Sequence, residues 1–179
     1  MIEIISVPEL HLLLGIVEKF IKEFQNKVFP SKEMGKAFLD KFLKKVNIVR
    51  KEYQGGQSLE VNQSRKFLKC LDQLELDIMM AGGEVVIKGL PFLKAFRSFN
   101  RVVSLCFGMT LGVGYMAAIK EFKKDYLELG ITVTPKAHIV FQHITEFLQI
   151  VNTQNYNEPV GLGYYSEQSF EALHSDMKV

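Results

Sequence analysis

The residues best placed to do chemistry lie near the end of the chain, in SEQSFEALHSDMKV. There Glu167, Glu171, His174 and Lys178 fall at i, i+4, i+7 and i+11, on one face of a helix. Phe170, Leu173 and Met177 fall on the neighbouring face, which would dock the helix and leave the carboxylates and the imidazole beside its edge. Such a face suits acid/base work or a hard divalent cation such as Mg²⁺, and pairs of these ions drive in-line phosphoryl displacement. The same spacing also describes a solvated stripe held by i,i+4 charge pairs, and spacing alone favours that plainer reading.

Other candidates carry less. His138 and His143, in TPKAHIVFQHITEFL, are five positions apart. On a 3.6-residue helix that sets them about 140° apart, badly placed to share an ion. His11, in PELHLLLG, reads as a partly buried histidine with one hydrogen bond. Cys70 and Cys106 sit in apolar helical stretches without CxxC spacing and read as buried free thiols of a reducing compartment. No GxSxG, P-loop, GxGxxG or Cys-His arrangement occurs, and GVG at 112–114 and GLG at 161–163 read as helix boundaries.

Charge gives little direction. Lys plus Arg is 22 against 20 Asp plus Glu, a net +2, well short of the clustered excess of a dedicated nucleic-acid module. Arg65, Lys66, Lys69, Arg97 and Arg101 would serve DNA only if folding brought their helices to one side. Otherwise they are solvated faces. The N-terminus lacks the basic and apolar regions of a signal peptide, and no segment approaches ~18 uncharged apolar residues. The expectation is an intracellular protein, nuclear or cytoplasmic, with no membrane span and no small-molecule substrate.

The elements that must position these side chains are helices. Leu10, Leu13, Leu14, Val17, Phe20, Ile21, Phe24 and Val28 recur every three or four positions, with Ser6 and Glu9 at capping-box spacing and Pro30 as a stop. Ser31 opens a second helix burying Met34, Phe38, Phe42, Val46, Val49 and Tyr53, which ends at Gly55 and Gly56. A third spans about 62–80, with Phe67, Leu68, Leu71, Leu74 and Ile78 inward and Gly82–Gly83 closing it. EVVIKG at 84–89 reads as a short strand broken by GLP at 89–91. A fourth helix starts at Pro91, carries Phe92, Phe96, Phe99, Val102, Val103 and Cys106, and stops at Gly108. The fifth, about 113–129, presents Met116, Ile119, Phe122 and Tyr126 and ends at Gly130. Thr134-Pro135 caps a sixth that runs to about Asn152. An irregular loop, 153–165, leads to the terminal helix at Ser166. The whole reads as one all-α domain, 1–179, of about seven helices with little or no sheet.

Four segments in order, VPELHLLLGIVEKF (7–20), AFRSFNRVVSLCFG (95–108), LGITVTPKAHIVFQHITEFL (129–148) and GLGYYSEQSFEALHSDM (161–177), resemble the C-terminal part of DDE/D-type transposases of animal DNA transposons. The resemblance implies an opening helix, a helical insertion, a Lys-x-His helix and a late acidic helix from an RNase H-like fold. It implies that Glu171 matches the third metal-binding acid, with Glu167 as second choice and His174 beside them, and that Mg²⁺ belongs to the full-length enzyme. The two other acids of that family are aspartates on sheet strands, and its DNA-binding module lies upstream of them. The five aspartates here are Asp40, Asp72, Asp77, Asp125 and Asp176, of which the first four fall on predicted helices. The resemblance therefore implies a transposon-derived fragment that holds no cofactor and cuts no DNA alone. A second expectation, from a different class, is a helical interaction module that binds a protein partner or its own copy. Weak DNA binding through the five cations above is a third.

Overall fold

Fourteen phenylalanines and no tryptophan set the packing problem, and the fold solves it with one hydrophobic core rich in ring-on-ring contacts. The computed structural model describes residues 9–53, 56–153 and 158–165. It is all-α apart from one small hairpin. In order come α1 (Glu9–Lys27), α2 (Lys32–Lys45), the antiparallel hairpin β1 (Lys51–Tyr53) and β2 (Gly56–Ser58), α3 (Val61–Lys69), α4 (Leu71–Ala81), α5 (Gly83–Cys106) and α6 (Tyr115–Glu128). Then follow α7 (Pro135–His138), a π-helical turn (Ile139–His143), α8 (Ile144–Thr153) and a 3₁₀ turn (Leu162–Tyr165).

Helix α1 packs against α2, α3, α5 and α7. Its buried stripe is Leu12, Leu13, Ile16, Val17, Phe20, Ile21 and Phe24, with the expected Leu10 and Leu14 only half-buried at its edge. Phe20 is the hub. Its ring lies edge-on to Phe96, Phe99 and Phe122 at 5.2, 6.5 and 6.0 Å and tilted against Tyr126 at 5.4 Å. From there the aromatic chain continues through Phe96, Phe67 and Phe42 to α2, and through Phe122 to Phe141 in the π turn. Edge-to-face pairs at these distances add ~0.5–1.5 kcal/mol each beyond area burial.

Two expected caps form as read. The Ser31 hydroxyl accepts from the Met34 N–H at 3.2 Å, and the Thr134 hydroxyl from the Ala137 N–H at 3.2 Å with Pro135 in the first turn. Glycine also ends helices as expected, at Gly82 (φ 68°) and Gly130 (φ 61°). Ser6 and Pro8 lie outside the described residues.

Several expectations need correction. Helix α2 does not run to Gly55 but ends at Lys45, because Asn47 takes the left-handed conformation at φ 54°. The Ile48 N–H then donates to the Leu43 carbonyl (2.8 Å) and the Asn47 N–H to that of Lys44 (3.2 Å), with Ile48 and Leu43 both buried. This is a Schellman stop with its apolar clasp, built on asparagine instead of glycine. Met34 and Val49, expected inside, are exposed, and Tyr53 belongs to β1. The third helix is two, α3 and α4, separated at Cys70. Met116 on α6 is also exposed, and Ala118 takes the buried position.

The segment 84–89 is helix, not strand. Helix α5 runs unbroken through Pro91, whose ring removes one hydrogen bond at a cost of about 3 kcal/mol. Burial of Phe92, Leu93, Phe96, Phe99, Val102 and Cys106 along the same helix outweighs that, at ~1.5–3 kcal/mol for each large side chain. Gly89 lets α4 come close, since a Cβ there would meet Ile78 Cγ2 at 3.2 Å. No helix among the described residues is long and apolar enough to cross a membrane.

Candidate functional site

The terminal acidic face, Glu167, Glu171 and His174, lies outside the described residues. What the structure does place are contacts among the described parts of the four resembling segments. Helix α1 meets α7 where the Lys136 side chain lies across Gly15, so close that a Cβ on Gly15 would be 2.2 Å from Lys136 Cδ. A side chain at position 15 would displace the flexible end of this lysine, which belongs to the Lys-x-His motif.

Glycines 161 and 163 are likewise explained by contact. The Gly161 N–H donates to the Met109 carbonyl at 3.0 Å and the Gly163 N–H to that of Gly108 at 3.1 Å, while the Leu111 N–H donates to Pro159 at 2.9 Å. A Cβ on Gly161 would be 2.3 Å from the Gly108 oxygen and 2.9 Å from that of Cys106. The expected irregular loop is therefore partly a paired segment, bridged at Thr110 and Val160 and lashed to the turn that ends α5. Asn152 on α8 clamps it from the other side, its amide donating to the Val160 carbonyl at 3.0 Å and accepting from the Val160 N–H at 2.6 Å. GLG is a seat for backbone. GVG at 112–114 does bound a helix, with left-handed Gly114 as the N-cap of α6.

His138 and His143 stand side by side, with ring centroids 5.3 Å apart. The 140° separation expected of an α-helix is absent because residues 139–143 form a π turn, which brings i and i+5 onto one face. His143 Nδ1 also lies 3.5 Å from a Glu146 carboxylate oxygen. Both rings are exposed, and among the described residues no group of three or more His, Cys, Asp or Glu side chains is arranged to hold a metal ion.

The five candidate DNA-contacting cations do not form one free patch. Arg97 is forked between Asp72 and Glu75 at 2.7 and 2.6 Å, and Arg101 is paired with Glu121 at 3.0 Å. Lys66 donates to the Asn47 carbonyl at 2.7 Å, whereas Arg65 acts electrostatically on Glu9 and Lys69 is exposed. Lys94, Arg97 and Arg101 make a cationic ridge on α5 between acids of α4 and α6, lining a groove of about 370 Å³. In its floor Asp125 is 3 % exposed, with one oxygen 2.9 Å from Lys94 Nζ and the other without a partner. Hydrogen bonds that it donates to Asp125 and then Glu128 hold the Lys94 ammonium above its usual range.

Two other groups are shifted by burial. Glu9, at the start of α1, is pushed up by desolvation, offset in part by backbone N–H groups at Glu9 and Leu10 and by the charge of Arg65. Such a carboxyl favours the fold most when protonated, and that contribution fades as pH rises through its folded value. Burial pushes the Cys106 thiol up to about 12, so it stays protonated and inert at neutral pH, as expected of a buried structural cysteine. Cys70 is only half-buried, which corrects the expectation of two buried thiols. Sequence reasoning missed Arg50, whose side chain is 13 % exposed between α1, α2 and the hairpin with Nη2 unpaired. It fell inside the expected second helix, where an arginine reads as part of a solvated face and gives no signal of burial. No protein-family model, curated protein or solved structure matches this chain.

Proposed function

We propose that this chain is a transposon-derived helical body corresponding to the C-terminal part of a DDE/D-type transposase, without nuclease activity of its own. The observation that supports the reading is convergence. Segments far apart in sequence pack against one another: α1 against α5 through Phe20, α1 against α7 through Lys136, and the glycines at 161 and 163 against the end of α5.

The aspartates support the inactive half of the proposal. Asp40 lies on α2, Asp72 and Asp77 on α4 and Asp125 on α6, and their neighbours are Arg50, Arg97, Lys45 and Lys94 respectively. Two-metal phosphoryl chemistry needs carboxylates that converge on ions ~3.5–4 Å apart, and these four are dispersed and already charge-paired. The purified chain is expected to leave supercoiled and oligonucleotide DNA intact with Mg²⁺ or Mn²⁺. Metal-dependent nicking that disappears in Glu171→Ala would overturn the proposal.

A second reading is self-association. Leu76, Met79, Met80 and Ile87 are 57, 53, 84 and 69 % exposed around the single turn that joins α4 to α5. Apolar surface gathered in this way marks contact sites more often than isolated side chains do. Sedimentation equilibrium should then show a dimer that Met80→Lys with Ile87→Lys dissociates, and a monomer at all concentrations contradicts it.

A further inference from the structure

The cavity between α1, α2 and the hairpin has the chemistry of an anion site. It encloses about 360 Å³ and is lined by Lys22, Lys32 and Arg50 against one carboxylate, Glu18, with Gln57 and Ser58 supplying neutral polar groups. That volume lies within the ~300–1,000 Å³ of small-ligand pockets. Among the described residues neither Lys22 nor Lys32 has an ion-pair partner. Lys32 is the first residue of α2, so the positive end of that helix adds to the local field.

Arg50 is the feature that calls for a ligand. Its side chain is 13 % exposed, and among the described residues its one ion-pair neighbour is Asp40, at 3.7 Å from Nη1, too far for a hydrogen bond. Nη2 is buried without an acceptor. A guanidinium cannot escape by deprotonating, and an unpaired buried donor is costly, so an orphan of this kind wants an oxygen from outside the chain. Arginine is also the side chain best matched to the paired oxygens of phosphate.

We propose that this cavity binds a phosphate group, with Arg50 as the central donor and Lys22 and Lys32 as flanking charges. The group can come from a small phosphorylated molecule or from the backbone or end of a nucleic-acid strand. Either source satisfies the same donors. The site is independent of the transposase reading, because it uses residues of α1, α2 and the hairpin and none of the terminal acidic face.

Isothermal titration of the whole chain at low salt tests it, with inorganic phosphate, a nucleoside monophosphate and a short single-stranded oligonucleotide as probes. At least one probe is expected to bind, with affinity lowered tenfold or more in Lys22→Gln/Lys32→Gln and in Arg50→Gln and unchanged in Lys120→Gln. Binding of the first two probes identifies a small phosphorylated ligand. Binding of the oligonucleotide alone, weakening steeply with salt, identifies a strand. The double lysine variant keeps Arg50 in place, so it decides the matter even if Arg50→Gln fails to fold. No binding by any probe, or equal binding by wild type and the double lysine variant, overturns the proposal.

Discussion

Replacing Phe20 by alanine is expected to cost about 3–5 kcal/mol, the range for removing a buried aromatic side chain. Phe20 is fully buried and touches the rings of Phe96, Phe99, Phe122 and Tyr126, so its loss opens a cavity at the junction of α1, α5 and α6. Four rigid rings cannot close over such a void without leaving their rotamers. A domain of this size has roughly 5–15 kcal/mol to lose, and the variant will therefore sit near its unfolding threshold. Urea melts followed by helical circular dichroism should show a lower midpoint with an unchanged slope. Val113→Ala, at a position 99 % exposed, is the control and should shift stability by less than about 0.5 kcal/mol.

A second large effect is expected at Gly161. A methyl group there collides with the backbone oxygens of Gly108 and Cys106, which cannot swing aside as a flexible side chain would. Either the 158–163 segment lifts off or the end of α5 shifts, and overpacking of this kind costs about 1–3 kcal/mol or more. The companion variant Gly108→Ala separates contact from composition. Its nearest neighbour would be the Thr110 oxygen at 3.9 Å, an ordinary distance, so it should melt close to wild type. Equal melting of the two alanine variants would mean that the segment is not seated on this turn.

Much of the helical architecture was readable from periodicity and caps. Phe20, Phe24, Phe96, Phe99, Phe122 and Tyr126 were all placed inward by spacing alone, and Ser31 and Thr134 cap as their positions suggested. The failures have local physical causes. Proline at 91 and glycine at 89 read as a break, yet the buried side chains around them hold α5 together. Asn47 ended α2 because asparagine tolerates the left-handed region, a choice that the stronger glycine signal eight residues later obscured. The pairing of His138 with His143 was hidden because a π turn cannot be seen in a 3.6-residue count. The anion cavity was illegible for another reason. Its residues come from α1, α2, the link before β1 that carries Arg50, and β2, and nothing in the sequence brings Lys22 and Ser58 together before the fold does.

In the proposed reading the separated segments carrying the resemblance form one cooperative body. Native-state hydrogen exchange read at single amides tests it most directly, at Leu111, Gly112, Gly161 and Gly163, whose N–H groups donate to Pro159, Leu105, Met109 and Gly108. These four are expected to exchange slowly and together with the amides of α1 and the end of α5, and all of them to accelerate together in Phe20→Ala. Fast exchange at Gly161 and Gly163 while α1 and α5 stay protected would contradict it.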